Sequence, residues 1–115
     1  MSRASHRVQP AIRRAQASIF AALGDETRLL LVNRIIGDQP RSISELTKGS
    51  RLSRQAITKH LRVLEDVGIV RSERLGRESL YEFDPVAIEE AREYLDLVSK
   101  QWDQSLARLK AFVEE

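Results

Sequence analysis

The order of patterns along this chain predicts a mainly α fold with a small β-hairpin (α+β). Apolar residues recur at helical spacing in several separate stretches, the last of them the longest. Two short runs, 69–75 and 79–84, hold β-branched or aromatic residues (Ile69, Val70, Tyr81, Phe83) and flank a glycine turn. Between the helical stretches, Gly24, Gly49 and Gly68 fall where a helix would have to stop.

At 115 residues the chain has room for one domain with a modest core. Hydrophobic content of 42% and charged content of 31% belong to a globular protein, not a disordered one. No apolar run is long enough to cross a bilayer, and the N-terminus has no signal-peptide core. The absence of Cys excludes a disulfide framework, a thiolate nucleophile and a thiolate metal site, and it fits a cytoplasmic protein. Net charge is only +2, but it is unevenly spread. Residues 1–14 carry four Arg and no acid. Residues 41–77 set nine Lys/Arg against four acids, whereas 78–115 set four against ten. A polyanion would be drawn to the middle of this chain and repelled from its end.

Taken in order, residues 1–8 are polar and basic without periodicity and read as a flexible arm, and the single domain occupies 9–115. Pro10 suits a first helical turn, and Ile12, Ala15, Ile19 and Leu23 follow at helical spacing with Phe20 beside them. Asp25 is a good N-cap for a second helix over 26–36. Its six apolar residues (Leu29, Leu30, Leu31, Val32, Ile35, Ile36) cover more than one face, so it is expected to be the hub of the core. Gly37-Asp38-Gln39-Pro40 is a loop by composition, and Arg41-Ser42-Ile43 has room for a very short strand.

A brief helix from Ser44, a turn through Lys48-Gly49-Ser50-Arg51 and a helix capped by Ser53 make a helix-turn-helix over 43–67. In the second helix Ile57, Leu61 and Leu64 form one narrow apolar stripe. The other side holds Arg54, Gln55, Thr58, Lys59 and Arg62, donors suited to phosphates or base edges, with no acid before Glu65. A hairpin follows at once over 69–84, with Arg71, Arg74 and Arg77 near its tip. That succession is a winged helix-turn-helix. Read blandly, the three arginines only keep an edge soluble.

The pattern Ala91, Leu95, Val98, Trp102, Leu106, Leu109, Val113 predicts a last helix over 86–113, about 42 Å long. A domain of this size, with a radius of gyration of about 13 Å, cannot cover it. Two copies meeting about a twofold axis through the first and last helices would cover the rest, with Ile12, Ile19, Leu95, Val98, Trp102, Leu106 and Leu109 at the interface. A break near Tyr94 that folds the segment back is the alternative.

The run Ala22-Leu23-Gly24-Asp25-Glu26-Thr27-Arg28 resembles the ALxDxTR approach to the second helix in the ArsR family of bacterial transcriptional regulators. Residues 53–65, SRQAITKHLRVLE, are similar to that family's recognition helix, commonly SQxAISKHLxxLE, and Gly68-Ile69-Val70 with Gly76-Arg77 resemble its wing. The likeness spans about residues 19–85. The region from Trp102 to Leu106 resembles the tail of members without metal sites. The resemblance implies a homodimeric repressor whose recognition helices enter successive major grooves of an inverted repeat. Metal-sensing members carry a Cys-x-Cys pair where this chain has Ile43-Ser44-Glu45-Leu46, and others carry His on the last helix, where this chain has none. Metal-released repression is therefore not expected to transfer, and no cofactor or metal is expected.

The expected DNA-binding set is Ser53, Arg54, Gln55, Thr58, Lys59, His60, Arg62, Arg71, Arg74 and Arg77. Within it Arg54, Gln55, Thr58 and Lys59 are expected in the major groove with Arg54 and Gln55 as the base readers, Ser53 and Arg62 fix phosphate register, and Arg74 and Arg77 reach the minor groove or its phosphates. His60 is expected to be structural or close to phosphate. Trp102 is expected to pack in the dimer core rather than stack on a ligand. Double-stranded DNA and a second copy are the expected partners, with no membrane and no effector specified. The competing class is a winged-helix protein-interaction module without DNA binding. An enzyme has no support, for no nucleophile–base pair, phosphate loop or metal set is visible.

Overall fold

The computed structural model describes residues 10–37 and 39–114; the arm expected at 1–8 lies outside them. The elements run α1 (Pro10–Leu23), α2 (Glu26–Ile35), β1 (Arg41–Ser42), α3 (Ile43–Thr47), α4 (Arg54–Asp66), β2 (Val70–Leu75), β3 (Glu78–Phe83) and α5 (Pro85–Glu114). This is a winged helix-turn-helix, mainly α with a small antiparallel sheet. The hairpin gains the short third strand β1, giving the order β1-β3-β2, with Arg41 opposite Tyr81 and Ser42 opposite Leu80.

Side chains cap several of the helix starts. Asp25 caps α2 by accepting from the Arg28 amide at 3.0 Å. Ser42 and Glu45 form a capping box on α3: the Glu45 amide donates to Ser42 Oγ, and the Ser42 amide donates to Glu45 Oε1, both at 3.1 Å. That amide holds the Glu45 carboxyl below its ordinary pKa. At the end of α4, Gly68 has φ +81°, its amide donates to Glu65 O, and the Ile69 amide donates to Leu64 O, both at 3.0 Å. Those two bonds are a Schellman motif. Gly76, at φ +63°, opens a two-residue turn between paired Leu75 and Glu78, where positive φ at the first position matches the strand twist.

The core is organised differently from the expectation for α2. That helix buries Leu31, Val32 and Ile35, but leaves Leu29, Leu30 and Ile36 about half exposed. Three apolar residues in a row cannot all face one side of a helix, so part of the run has to turn outward. The hub is α4 instead. Its Ile57, Leu61 and Leu64 are at most 1% exposed and pack with residues of α1, α2, α3 and the sheet. In α1 the buried face is Gln16, Ile19 and Ala22, while Ile12 and Ala15 are exposed.

α5 is one unbroken helix of 30 residues, so no break occurs at Tyr94. Only Ala87 and Ala91 are buried on it, and Tyr94 packs against Phe20 with ring centroids 6.1 Å apart. Beyond Val98 every described residue is exposed. The helix gives the chain a 65 Å long axis and a radius of gyration of 18.8 Å, well above that of a compact domain of this length.

Gln16 Oε1 is buried with no hydrogen-bond partner among the described residues. An orphaned acceptor of that kind costs about 1–3 kcal/mol. Gln16→Met, similar in volume, is expected to raise the thermal unfolding midpoint. Leu61→Ala at the centre of the core should lower stability by about 2–5 kcal/mol in denaturant titration, with an unchanged slope.

Candidate nucleic-acid interface

The interface is built outward from the buried row of α4. With Ile57, Leu61 and Leu64 turned into the core, helical geometry puts Gln55, Lys59 and Arg62 on the outermost face at i, i+4 and i+7. All three are exposed. Ser53 caps the helix by accepting from the Ala56 amide at 3.1 Å, which leaves its own hydroxyl proton for an outside acceptor.

Arg54 lies to one side of that row and is exposed; its Nη1 donates to Ser44 Oγ at 3.3 Å, joining the two helices of the helix-turn-helix. Thr58 is half-buried, and its hydroxyl donates to the Arg54 carbonyl at 2.8 Å. His60 lies on the other side of the row and faces the corner between α1 and α2. Its Nδ1 is 3.2 Å from Arg28 Nη1 and 3.9 Å from Asp25 Oδ2, and its side chain is 24% exposed. Of the helix residues expected at DNA, His60 is the one whose ring nitrogen is engaged within the protein.

The wing separates its three arginines. In β2, Arg71 sits opposite Glu82 and its Nε donates to Glu82 Oε1 at 2.7 Å, which raises the Arg71 pKa. Arg74 lies three residues on and therefore on the other face of the strand. That face is also the one of Ser72, whose hydroxyl donates to Glu65 Oε2 on α4 at 2.6 Å. Arg74 reaches back toward the Gly76 carbonyl at 3.4 Å, and Arg77 is exposed in the turn. Arg74 and Arg77 thus share the recognition-helix side or tip, while Arg71 is spent on a cross-strand ion pair.

Among the residues expected at a dimer contact, Ile12, Leu95, Trp102, Leu106 and Leu109 are 49–64% exposed in the single chain. Ile19 is a correction. It is 5% exposed within its own protomer's core, because α1 packs that face inward. Val98 is half-buried.

Sequence reasoning missed Arg28. Its amide holds the Asp25 carboxyl below the usual range, opposed in part by desolvation and helped by the charge of Arg28. Its guanidinium reaches both α1 and α4. The two partners stand 32 positions apart, so no local pattern joins them. The described residues contain no cluster of three or more His, Cys, Asp or Glu able to hold a metal ion, and no helix long and apolar enough to cross a membrane.

Comparison with known proteins agrees with this geometry. A family described as "Helix-turn-helix domain" matches residues 16–73, half of the chain. The HTH-type transcriptional regulator Rv2034 of Mycobacterium tuberculosis is 31% identical over 87 residues, which is 76% of this chain and 78% of that protein. The structure of an ArsR-like transcriptional regulator from Rhodococcus sp. RHA1 superposes with a TM-score of 0.75 at 36% identity, covering 87% of this chain and 93% of that one. The homodimeric winged helix-turn-helix DNA-binding domain Mb0332 of Mycobacterium bovis shares the fold, with a TM-score of 0.60 at 20% identity over 85% of this chain and 87% of that one. The chain belongs to the ArsR-type winged helix-turn-helix family: it is a DNA-binding transcriptional regulator, not an enzyme.

Proposed function

We propose that the protein is a dimeric repressor that recognises an inverted-repeat operator. The observation that carries the reading is the asymmetry of α4. Its apolar row is wholly buried, while Gln55, Lys59 and Arg62 face outward with Arg54 beside them, and no acid interrupts that face before the last turn. An α-helix with such a face fits the B-DNA major groove, where Gln55 and Arg54 read base edges and Thr58 and Lys59 lie against the groove wall. Ser53 and Arg62 hold phosphates, and Arg74 and Arg77 reach the neighbouring backbone or minor groove. Arg71, already paired to Glu82, and His60, already engaged by Arg28, are left out of the contact set.

Twofold pairing supplies the second half-site. It is supported by the exposed stripe Leu95, Trp102, Leu106 and Leu109 on a helix that its own core does not cover, and by the exposed Ile12 on α1. The neighbour from M. bovis is itself homodimeric. Half-site centres then lie about 10–10.5 bp apart, or a multiple of that.

Arg54→Ala is expected to relax base preference at one operator position, by about 1–3 kcal/mol of discrimination. Arg77→Ala should weaken all duplexes alike and make the logarithmic salt slope shallower by about 0.9. Binding titrations over operator variants at several salt concentrations separate the two. Wild-type binding that ignores salt, or fails altogether, would leave a protein-interaction module as the better account. Leu106→Glu should shift the mass seen by light scattering at micromolar concentration from two chains to one and abolish operator retention. A wild-type mass of one chain overturns the pairing.

A further inference from the structure

α4 is held from three sides. Ser44 meets Arg54 near its N-terminus, and Ser72 meets Glu65 near its C-terminus. On the side of the α1–α2 corner the polar tie is His60, whose i±3 and i±4 neighbours on α4 (Ala56, Ile57, Val63, Leu64) are all apolar. Arg28 occupies that corner. Its Nε donates to Ala22 O at 2.6 Å and its Nη2 to Ala21 O at 3.4 Å, carbonyls in the last turn of α1, where a cation offsets the negative helix end. Its remaining arm, Nη1, points at His60 Nδ1 from 3.2 Å. One planar group therefore joins the end of α1, the start of α2 and the middle of α4.

We infer that Arg28 is a positioning residue for operator recognition: through neutral His60 it fixes the lean of α4 against the α1–α2 corner, and so sets how well operator is told from random duplex. This rests on the reading that α4 enters the groove. Burial of Ile57, Leu61 and Leu64 fixes the rotation of the helix about its axis, and the hydrogen bond on the flank adds a directional constraint that apolar contacts, being non-directional, do not supply. Base readout needs side-chain atoms placed within hydrogen-bond tolerance, whereas phosphate attraction tolerates a small tilt. Loss of the tie should therefore reduce discrimination and leave the phosphate-driven part of binding in place.

The tie depends on protonation. A guanidinium only donates, so Nδ1 must accept, and the ring is neutral with its proton on Nε2. A second proton turns Nδ1 into a donor facing a donor. The ring's natural partner then becomes Asp25 Oδ2, at 3.9 Å too distant to hydrogen-bond in the present arrangement. The charged groups facing His60 from the packed elements are Arg28 and Asp25, α1 contributes only carbonyls through Arg28, and Lys59 and Arg62 stand near it on its own helix. The tie is thus made by the neutral ring and is lost when Nδ1 takes a second proton.

The test uses the full chain, an operator recovered by selection from a random duplex pool, and random duplex as the comparison, at about pH 8 and about pH 5.5, the span in which histidine is the side chain able to change charge. Wild type should lose roughly tenfold in the operator-to-random affinity ratio on going to the lower pH, the size of one charge-assisted hydrogen bond. His60→Gln keeps a pH-independent acceptor and should hold the higher ratio at both pH values. His60→Leu and Arg28→Lys should show the lower ratio at both, with the salt slope on random duplex unchanged. If Arg28→Lys does not fold by circular dichroism, the contrast between wild type and His60→Gln still decides. A wild-type ratio that does not move with pH, or a His60→Gln ratio that falls as wild type does, overturns the inference. A wild type that binds both duplexes equally at both pH values overturns the DNA-recognition reading itself, a distinct result.

Discussion

Three side chains on one face of α4 constrain everything around them. Ile57, Leu61 and Leu64 are buried to within 1% and contribute to a single core cluster with α1, α2, α3 and the sheet. Turning the helix by one residue would swing each of them about 100° and bring Thr58, Arg62 and Glu65 toward apolar walls, or His60 if turned the other way. Burying an unpaired charge or hydroxyl costs far more than the contacts could return. The rotational setting of α4 is therefore fixed by the hydrophobic effect, and the outward row of Gln55, Lys59 and Arg62 follows from it without any separate device.

The remaining freedoms of α4 are removed by polar groups at its ends and flank. Ser53 satisfies a free amide at the start, the Gly68 motif closes the carbonyls at the finish, and Arg54–Ser44 and Glu65–Ser72 link it to α3 and the wing. These are exposed or half-exposed bonds, each of modest net worth. Their value is directional. Glu65 illustrates this: a carboxylate near a helix C-terminus is electrostatically unfavourable, yet here it ties the first wing strand to the helix that the wing flanks.

Local chemistry is legible in a sequence, and long-range choice between equivalent partners is not. The Ser53 cap, the Gly68 stop, the α4 stripe, the glycine hairpin and the length of α5 all depend on residues within a turn or two of one another, and each stands in the structure as its residues imply. The α2 run misled because composition reports how much apolar surface exists, not which part a neighbour covers; Leu29, Leu30 and Ile36 remain half exposed. Gln16 was hidden for the opposite reason, a polar residue at an inward position of α1. Arg71 and Glu82 could have been paired in advance, since the two-residue turn at Gly76-Arg77 sets the register that puts them opposite. Nothing near Arg28 in the chain announces His60.

The last helix shows why association and recognition belong to one physical problem in this protein. Residues beyond Val98 make no use of the chain's own core, and an isolated helix of about 16 residues is marginal in water. The apolar stripe that a second copy would cover begins on the same helix whose first turns lie on the core through Ala87 and Ala91, small residues that allow close approach. A rigid helix transmits position along its length, so a partner gripping Trp102 and Leu106 would also set where the core sits. The core in turn sets where the outward row of α4 sits. Under the proposed pairing, the distance between two recognition helices is then a property of helix packing rather than of linker length, which is what an operator with fixed half-site spacing requires.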